Sequence, residues 1–242
     1  MSATAETPFA NSRFANSRFA NSRLGEIATS LPGATAVLRR HKLDFCCGGS
    51  ATLADAAWAK GLRLDLLEQE LAAVAAAALP AEPAETTTAA PTGGLIDLIL
   101  TRYHETHRRE LPELARLARR VEAVHRDNPA VPRGLADLLE TMGADLENHM
   151  AKEEQVLFPL MRQADLAGGS HPMIPHAIAM MTSEHDDHAS HLRELERLTG
   201  DFTPPAEACN TWRALYAGGR KFADDLVAHI HTENNILFPR FA

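Results

Sequence analysis

The stretch from residue 149 to residue 159 reads HMAKEEQVLFP and holds a histidine and a glutamate one helical turn apart. The same pattern returns from residue 229 to residue 239 as HIHTENNILFP. Residues four positions apart share one face of an α-helix, so His149 pairs with Glu153 and His229 pairs with Glu233. Two copies of one pair of ligand-type side chains predict a metal site.

The repeat extends towards the amino terminus of each copy. His104 lies 45 positions before His149, and His185 lies 44 positions before His229. A second histidine follows each of the earlier two after three residues. The repeated unit is therefore a pair of helices, used twice.

Four long segments of helical period follow residue 94. In the second and fourth segments, the apolar stripe includes the histidine and the glutamate. It runs through Met142, Leu146, His149, Glu153, Val156 and Leu160, and through Leu215, Gly219, Phe222, Leu226, His229, Glu233, Ile236 and Arg240. The connections between segments are short and carry Pro or Gly, so neighbouring helices should be antiparallel. The sequence predicts an all-α protein whose larger part is an up-down-up-down four-helix bundle.

Four regions are predicted along the chain. Residues 1–23 contain Phe-Ala-Asn-Ser-Arg three times, a period that fits neither helix nor strand, and are expected to form a disordered tail. Residues 24–78 form a small helical domain that carries two adjacent cysteines followed by two glycines. Residues 79–94, rich in Pro, Ala, Thr and Gly, form a linker, and residues 95–242 form the bundle.

Composition narrows the classes of function. The chain has 242 residues, a net charge of −8 and a pI near 5.8, which argues against nucleic acid as an obligatory partner because phosphate binding needs concentrated Lys and Arg. Its apolar stretches are too short for a membrane span, and its start lacks the apolar core of a secretion signal. Three cysteines give no disulfide framework. We expect a cytoplasmic protein with no membrane partner.

The paired glutamates favour a cation. A buried carboxylate is costly unless it is paired, and neither Glu153 nor Glu233 has a Lys or Arg on its stripe within one turn. Imidazole and carboxylate ligands without thiolate favour iron or manganese in a bundle over structural zinc, and iron is the first choice. If each glutamate bridges, four histidines and two carboxylates give about eight metal bonds, and an oxo or hydroxo bridge brings these to about ten of roughly twelve for two octahedral ions. We therefore expect two iron ions per chain with such a bridge.

Spacing alone does not choose the histidines of the first and third segments. His104 and His107 both lie near the buried stripe, as do His185 and His188, because each pair is separated by three residues. Helical periodicity therefore leaves open which histidine of each pair is the metal ligand.

The chain resembles the iron-sulfur cluster repair di-iron proteins, a family also called repair of iron centres. The resemblance rests on Tyr103-His104-Glu105-Thr106-His107-Arg108, on both His-to-Pro stretches and on Ser183-Glu184-His185-Asp186. In the small ScdA-like domain it rests on Leu31-Pro32-Gly33-Ala34-Thr35 and Leu43-Asp44-Phe45-Cys46-Cys47-Gly48-Gly49. It covers the chain from about Leu24 to its end and implies a hemerythrin-like bundle. The implied metal ligands are His104, His149, Glu153, His185, His229 and Glu233.

This resemblance implies the repair of iron-sulfur clusters damaged by nitric oxide or oxidative stress, through iron donation, nitric oxide handling or both. The implied partners are damaged iron-sulfur proteins, with nitric oxide or oxygen as small ligands and a homodimer as the assembly. It leaves open whether nitric oxide is reduced enzymatically, as by a nitric oxide reductase, or whether the protein is a non-enzymatic iron donor. The alternative is a hemerythrin-like sensor of oxygen or nitric oxide, or an iron-storage protein.

Three further residues are candidates outside the ligand set. The resemblance implies a redox or nitrosyl role for Cys46 and Cys47, and the glycines that follow leave the backbone open to approach. The alternative for both is a small core residue or an inert thiol. Glu184, beside His185, either lines a channel to the metals or faces solvent. Cys209 is expected to have no role.

Overall fold

A computed structural model of the chain describes residues 18–77, 90–169 and 171–241. The chain divides into two compact units, Met1–Ala84 and Glu85–Ala242. Within the described ranges, every regular element longer than an isolated β-bridge is helical, which confirms the all-α prediction. None of the helices in these ranges is both long enough and apolar enough to cross a lipid bilayer.

Over residues 18–77, the first unit contains four helices, α1 Leu24–Ser30, α2 Ala34–Arg40, α3 Leu53–Ala59 and α4 Leu64–Ala77. Gly33 has a φ of +86°, a left-handed conformation that glycine adopts without steric cost, and so separates α1 from α2. The Thr52 hydroxyl accepts a hydrogen bond from the backbone N–H of Asp55 at 3.1 Å, which caps α3. Fully buried leucines from all four helices form the core of this unit.

The last copy of the pentapeptide belongs to this first unit. The backbone N–H groups of Phe19 and Ala20 donate to Glu68 Oε1 at 3.0 and 3.1 Å. Arg23 forms a β-bridge with Thr52, and Ala20 is buried. The expected tail of residues 1–23 is therefore ordered over residues 18–23, because its backbone donors and a methyl group find partners on the helices. Residues 1–17 lie outside the described residues.

The second unit consists of four long helical segments, three of which contain a π-helical turn. Their elements are α5 Thr92–Leu98, π1 Ile99–His104 and α6 Glu105–Val124 in the first; α7 Leu135–Lys152, π2 Glu153–Leu157 and α8 Phe158–Leu166 in the second; α9 Ile174–Thr199 in the third; and α10 Asn210–Thr232, π3 Glu233–Leu237 and a 3₁₀ turn Phe238–Phe241 in the fourth. Of the expected linker, residues 79–89 lie outside the described residues, and α5 begins after Pro91.

Side-chain contacts fix the direction of the four segments. Arg108 of α6 contacts Glu147 of α7, and Arg119, further along α6, contacts Glu140, earlier in α7, so α6 and α7 are antiparallel. In the other neighbouring pairs of segments, second with third, third with fourth and first with fourth, later residues of one segment likewise contact earlier residues of the other. These pairs are therefore antiparallel as well. Helix α6 packs against α7 and α10, and α9 packs against the same two helices. The up-down-up-down bundle is confirmed.

The turn π2 shifts the buried face of the second segment by one residue. Val156, predicted on the buried stripe, is 51% exposed, whereas Leu157 is 1% exposed. Met161 is likewise buried where Leu160 was predicted, and Leu160 is half-buried. A π turn closes i→i−5 hydrogen bonds and so inserts one more residue per turn than an α-helix. The stripe predicted beyond Glu153 is therefore wrong by one position.

Candidate metal centre

The six predicted ligand residues meet at the centre of the bundle. Each is at most 1% exposed. Their side chains form two groups of four in which the ligand atoms all lie within 4.8 Å of one another. One group is His104, Glu153, His229 and Glu233, and the other is His149, Glu153, His185 and Glu233. Both glutamates are therefore shared by both groups.

The π turns position these residues. His104 ends π1, Glu153 begins π2 and Glu233 begins π3. The backbone N–H of Phe158 donates to the Glu153 carbonyl oxygen, and the corresponding bond recurs in π3. A proline follows each of these phenylalanines; it lacks an N–H and its ring would clash with the carbonyl four residues earlier in a regular α-helix. The wider turn accommodates that proline at the same place where the carboxylate enters the core.

The Nε2 atom of each of the four histidines faces a carboxylate oxygen. His104 Nε2 lies 3.3 Å and His149 Nε2 lies 3.5 Å from Glu153 Oε2. His185 Nε2 lies 3.1 Å from Glu233 Oε2, and His229 Nε2 lies 3.0 Å from Glu233 Oε1. The arrangement has a two-fold pattern in which each glutamate serves one histidine from its own helix and one from a neighbouring helix.

The outward Nδ1 atoms of three of these histidines are held by a second set of polar groups. The carboxylate of Glu154 lies 2.8 Å from His104 Nδ1, and that of Glu184 lies 2.9 Å from His149 Nδ1. Asn234 Oδ1 lies 2.9 Å from the Nδ1 of His185. Because a carboxylate only accepts, the proton belongs on Nδ1 and the Nε2 lone pair points inward. This is the orientation that metal-binding histidines need.

The donor set fits cations of the size of iron. Ligand atoms about 2.1 Å from a small ion lie up to about 4.2 Å apart, which the observed 4.8 Å limit encloses. Both carboxylate oxygens of Glu153, and Glu233 Oε2, are buried without a hydrogen-bond partner among the described residues, and His149 Nε2 approaches His185 Nε2 to 3.2 Å. Buried polar atoms normally have hydrogen-bond partners, so carboxylate oxygens that lack one and converge with imidazole nitrogens mark a place for a cation.

The ionisation of the centre agrees with this fit. Burial and the neighbouring Glu233 raise the pKa of Glu153 well above its ordinary value, because two adjacent carboxylates in an apolar core cannot both ionise without compensation. Burial and then His185 lower the pKa of His149 well below its usual range, which keeps the ring neutral. A neutral imidazole is the form that binds a metal.

The two histidines that spacing had left open lie beside the centre. His107 and His188 are 1% and 3% exposed, but neither belongs to a group of four. Burial lowers the pKa of His107 to about 2 and that of His188 to about 3. His107 packs edge-on against Phe222, with 5.5 Å between ring centroids. Both rings pack beside the six ligand residues in an uncharged form.

Glu184 contacts the centre through His149 rather than directly. Its other carboxylate oxygen accepts a hydrogen bond from Lys152 Nζ. It also lines an open cavity of about 360 Å³ whose walls include Asp145, Asp187 and His188. The sequence did not predict that Glu154 and Asn234 contact the ligand histidines. Each of them directly follows the glutamate of one His-to-Pro stretch, and this repeated position could have pointed to them.

Comparison with known proteins places the chain in a family. Residues 96–241 match the hemerythrin HHE cation-binding domain, and residues 20–75 match a domain of unknown function. Iron-sulfur cluster repair proteins YtfE from Cronobacter sakazakii, Citrobacter koseri and Escherichia coli are 46%, 47% and 47% identical to it, over 90% of this chain and 94% of each relative. The chain belongs to the iron-sulfur cluster repair family. The cluster repair resemblance is thereby confirmed, and the bundle is a hemerythrin-type cation-binding domain with His and Glu groups suited to iron.

Members of the cluster repair family that match this chain match it over both units, so the cysteines of the first unit lie within the matched region. Cys46 is buried and Cys47 is partly exposed. Cys47, together with burial, raises the pKa of the Cys46 thiol. Cys209 lies in a different environment, exposed and 3.2 Å from His125 Nε2.

Proposed function

We propose that this protein repairs iron-sulfur clusters damaged by nitric oxide or oxidants, using an iron centre in the bundle. The proposal rests on one observation above the others: two groups of four ligand atoms share both glutamates. Both glutamates are fully buried, and no Lys or Arg of the described residues pairs with either of them. The related proteins are named iron-sulfur cluster repair proteins, which supports the same conclusion.

The proposed ligands are the six residues predicted from the sequence. His104 and His229 would bind one iron, His149 and His185 the other, and Glu153 and Glu233 would bridge both. Two iron ions held by these residues, with an oxo or hydroxo bridge, would supply open positions for nitric oxide or oxygen and would serve as cargo for a damaged cluster. Carboxylates suit such lability because they change between bridging and terminal binding without refolding the helices.

The surrounding residues orient the ligands and control access. Glu154 is fixed by Arg108 at 2.7 Å and so holds the His104 ring in place. Glu184, with Lys152, does the same for His149 and lies at the wall of the polar cavity, which supports its proposed place on a channel to the metals. Leu157 and Phe158 belong to the apolar cluster beside the ligands, and the Phe158 ring stacks on His104 with 5.8 Å between centroids.

Cys46 and Cys47 are proposed to handle redox or nitrosyl species for the same function. Damaged iron-sulfur enzymes are the proposed clients, which makes the cytoplasm the expected place of action. A homodimer remains a prediction that the molecular mass in solution tests directly.

A repair assay tests the proposal. The iron-loaded protein is incubated anaerobically with a dehydratase whose cluster has been damaged by nitric oxide, and the activity of the dehydratase is followed. We expect recovery with the parent protein and with a Glu113→Gln variant, whose substitution is exposed on α6, but not with Glu153→Leu. Recovery that is no faster than with the same amount of free ferrous iron would contradict repair by the protein.

The same samples separate repair from sensing. A sensor would change its absorption spectrum on adding nitric oxide and leave the dehydratase inactive. Metal analysis tests the proposed stoichiometry, since two irons per chain are expected and one per chain would refute the shared-glutamate arrangement.

A further inference from the structure

Asp44, Cys46 and Cys47 bring three ligand-type atoms together in the first unit, far along the chain from the bundle ligands. Cys46 Sγ lies 3.7 Å from Cys47 Sγ and 3.4 Å from Asp44 Oδ1. All three ligand atoms lie within 4.8 Å of one another. A sulfur separation of 3.7 Å is far beyond the bond length of about 2.05 Å in a disulfide, so these are two thiols brought face to face.

The distances match the edges of a coordination tetrahedron. A metal bound to two thiolates at about 2.3 Å with tetrahedral angles separates the sulfurs by about 3.8 Å. With a carboxylate oxygen at about 2.1 Å, the sulfur-to-oxygen edge is about 3.6 Å. The observed 3.7 and 3.4 Å are close to both values. The loop therefore holds its donors at metal-binding spacing.

The loop that carries these donors is tightly built on one side and open on the other. The Cys47 backbone N–H donates to Asp44 Oδ1 at 3.0 Å, which orients the carboxylate. A Cβ on Gly48 would approach the Asp44 carbonyl oxygen to 2.8 Å, so the turn requires glycine. Phe45 and Cys46 are buried, whereas Asp44 is exposed and Cys47 partly exposed. An ion held here would have one coordination position towards solvent.

We propose that Asp44, Cys46 and Cys47 form a three-ligand site for a borderline divalent cation, of the class of zinc or ferrous iron, with a fourth position open for exchange. Two thiolates favour such an ion over calcium or magnesium, and the carboxylate disfavours cuprous copper. Binding displaces the thiol protons of Cys46 and Cys47 to solvent, so the affinity should rise with pH. The site is independent of the iron centre proposed for the bundle.

Cobalt(II) provides the probe, because charge-transfer absorption from thiolate to cobalt arises only from sulfur ligands. The full-length protein, reduced and metal-free, is titrated with Co²⁺ under anaerobic conditions. We expect a saturable charge-transfer band in the parent and in Cys209→Ser, which removes the thiol outside the site. The band should be absent from Cys46→Ser and Cys47→Ser. Nitrogen and oxygen ligands in the bundle cannot produce it.

Asp44→Asn separates coordination from folding. The asparagine oxygen can still accept from the Cys47 N–H, so the loop is kept while the charged ligand is lost. The cobalt affinity should fall roughly tenfold or more, since loss of even an outer partner of a ligand costs this much. Far-ultraviolet circular dichroism and the iron content of the bundle should match the parent. No band in the parent, a full band in Cys46→Ser, or unchanged affinity in Asp44→Asn would each overturn the site.

Discussion

Replacing Glu153 with leucine should change the stability of the metal-free and the iron-loaded protein in opposite directions. Without metal, both Glu153 carboxylate oxygens are buried and have no hydrogen-bond partner in the part of the chain that the structure describes. An unsatisfied buried polar group costs about 1–3 kcal/mol, and an apolar side chain of similar volume removes that cost. At roughly 2–4 °C per kcal/mol for a domain of this size, the melting temperature of the metal-free variant should rise by roughly 2–12 °C.

In the iron-loaded protein, Glu153→Leu should lower the stability instead of raising it. Glu153 belongs to both groups of four, so leucine removes one ligand from each ion. An ion that binds only the folded state stabilises it in proportion to the logarithm of its affinity, and each 100-fold loss of affinity removes about 2.7 kcal/mol. The stabilisation by iron should therefore shrink by at least this much in the variant.

Thermal unfolding followed by circular dichroism, with and without one equivalent excess of ferrous iron under anaerobic conditions, measures both signs. Glu113→Leu is the control, because its carboxylate lies in solvent beside Arg116 and contacts no ligand. It should leave both melting temperatures near those of the parent. A metal-free Glu153→Leu protein that melts below the parent, together with an equal gain from iron in both proteins, would refute the argument that Glu153 is buried for a cation.

Three further results are expected. Glu154→Ala removes the acceptor for His104 Nδ1–H and should lower the iron affinity roughly 10–100-fold in a chelator competition; unchanged affinity would contradict its orienting role. Burial lowers the pKa of His231 from 6.5 to about 4, so this histidine takes up a proton at a higher pH in the unfolded chain than in the folded one. The free energy of unfolding of the metal-free protein should therefore fall by about 2 kcal/mol between about pH 7 and pH 5 because of this group. Urea titrations at the two pH values measure this change, and it should be smaller in His231→Leu by the part that His231 contributes. An equal fall in the free energy of unfolding in both proteins would exclude a contribution from His231. Gly48→Ala should destabilise the first unit by about 1–3 kcal/mol, because its Cβ would meet the Asp44 carbonyl oxygen, and an unchanged unfolding midpoint would show that the loop relaxes.

The bundle and its ligand pairs could be predicted from the sequence because both depend on local spacing. The separation of four between His149 and Glu153 fixes their common face in any α-helix, and the repeat at His229 and Glu233 fixes the second pair. The stops at Pro and Gly between segments then fix the antiparallel order. These features need no knowledge of which helices become neighbours across the core.

The choice between neighbouring histidines depends on the packing of the helices. His104 and His107 are both buried, and only the approach of Glu153 from the second segment makes His104 the one that faces a carboxylate. The register beyond Glu153 was also out of reach, since a period of 3.6 residues carries Val156 inward and the π turn carries it outward. The proline two positions after Leu157 was the signal for that turn.

The duplicated sequence produces matched ligands in unmatched surroundings. Phe158 stacks on His104 as Phe238 stacks on His185, so the packing of the two halves is equivalent. The partners of the imidazoles are not all equivalent. Each group of four contains one histidine whose Nδ1 contacts a carboxylate, His104 through Glu154 and His149 through Glu184. The other histidine of each group differs, because His185 contacts the amide oxygen of Asn234 whereas His229 stacks on Tyr103 at 5.1 Å between centroids. Because a hydrogen-bond acceptor at Nδ1 makes an imidazole a stronger donor and an aromatic ring does not, the two groups differ in electron donation at this one position although their ligands are the same.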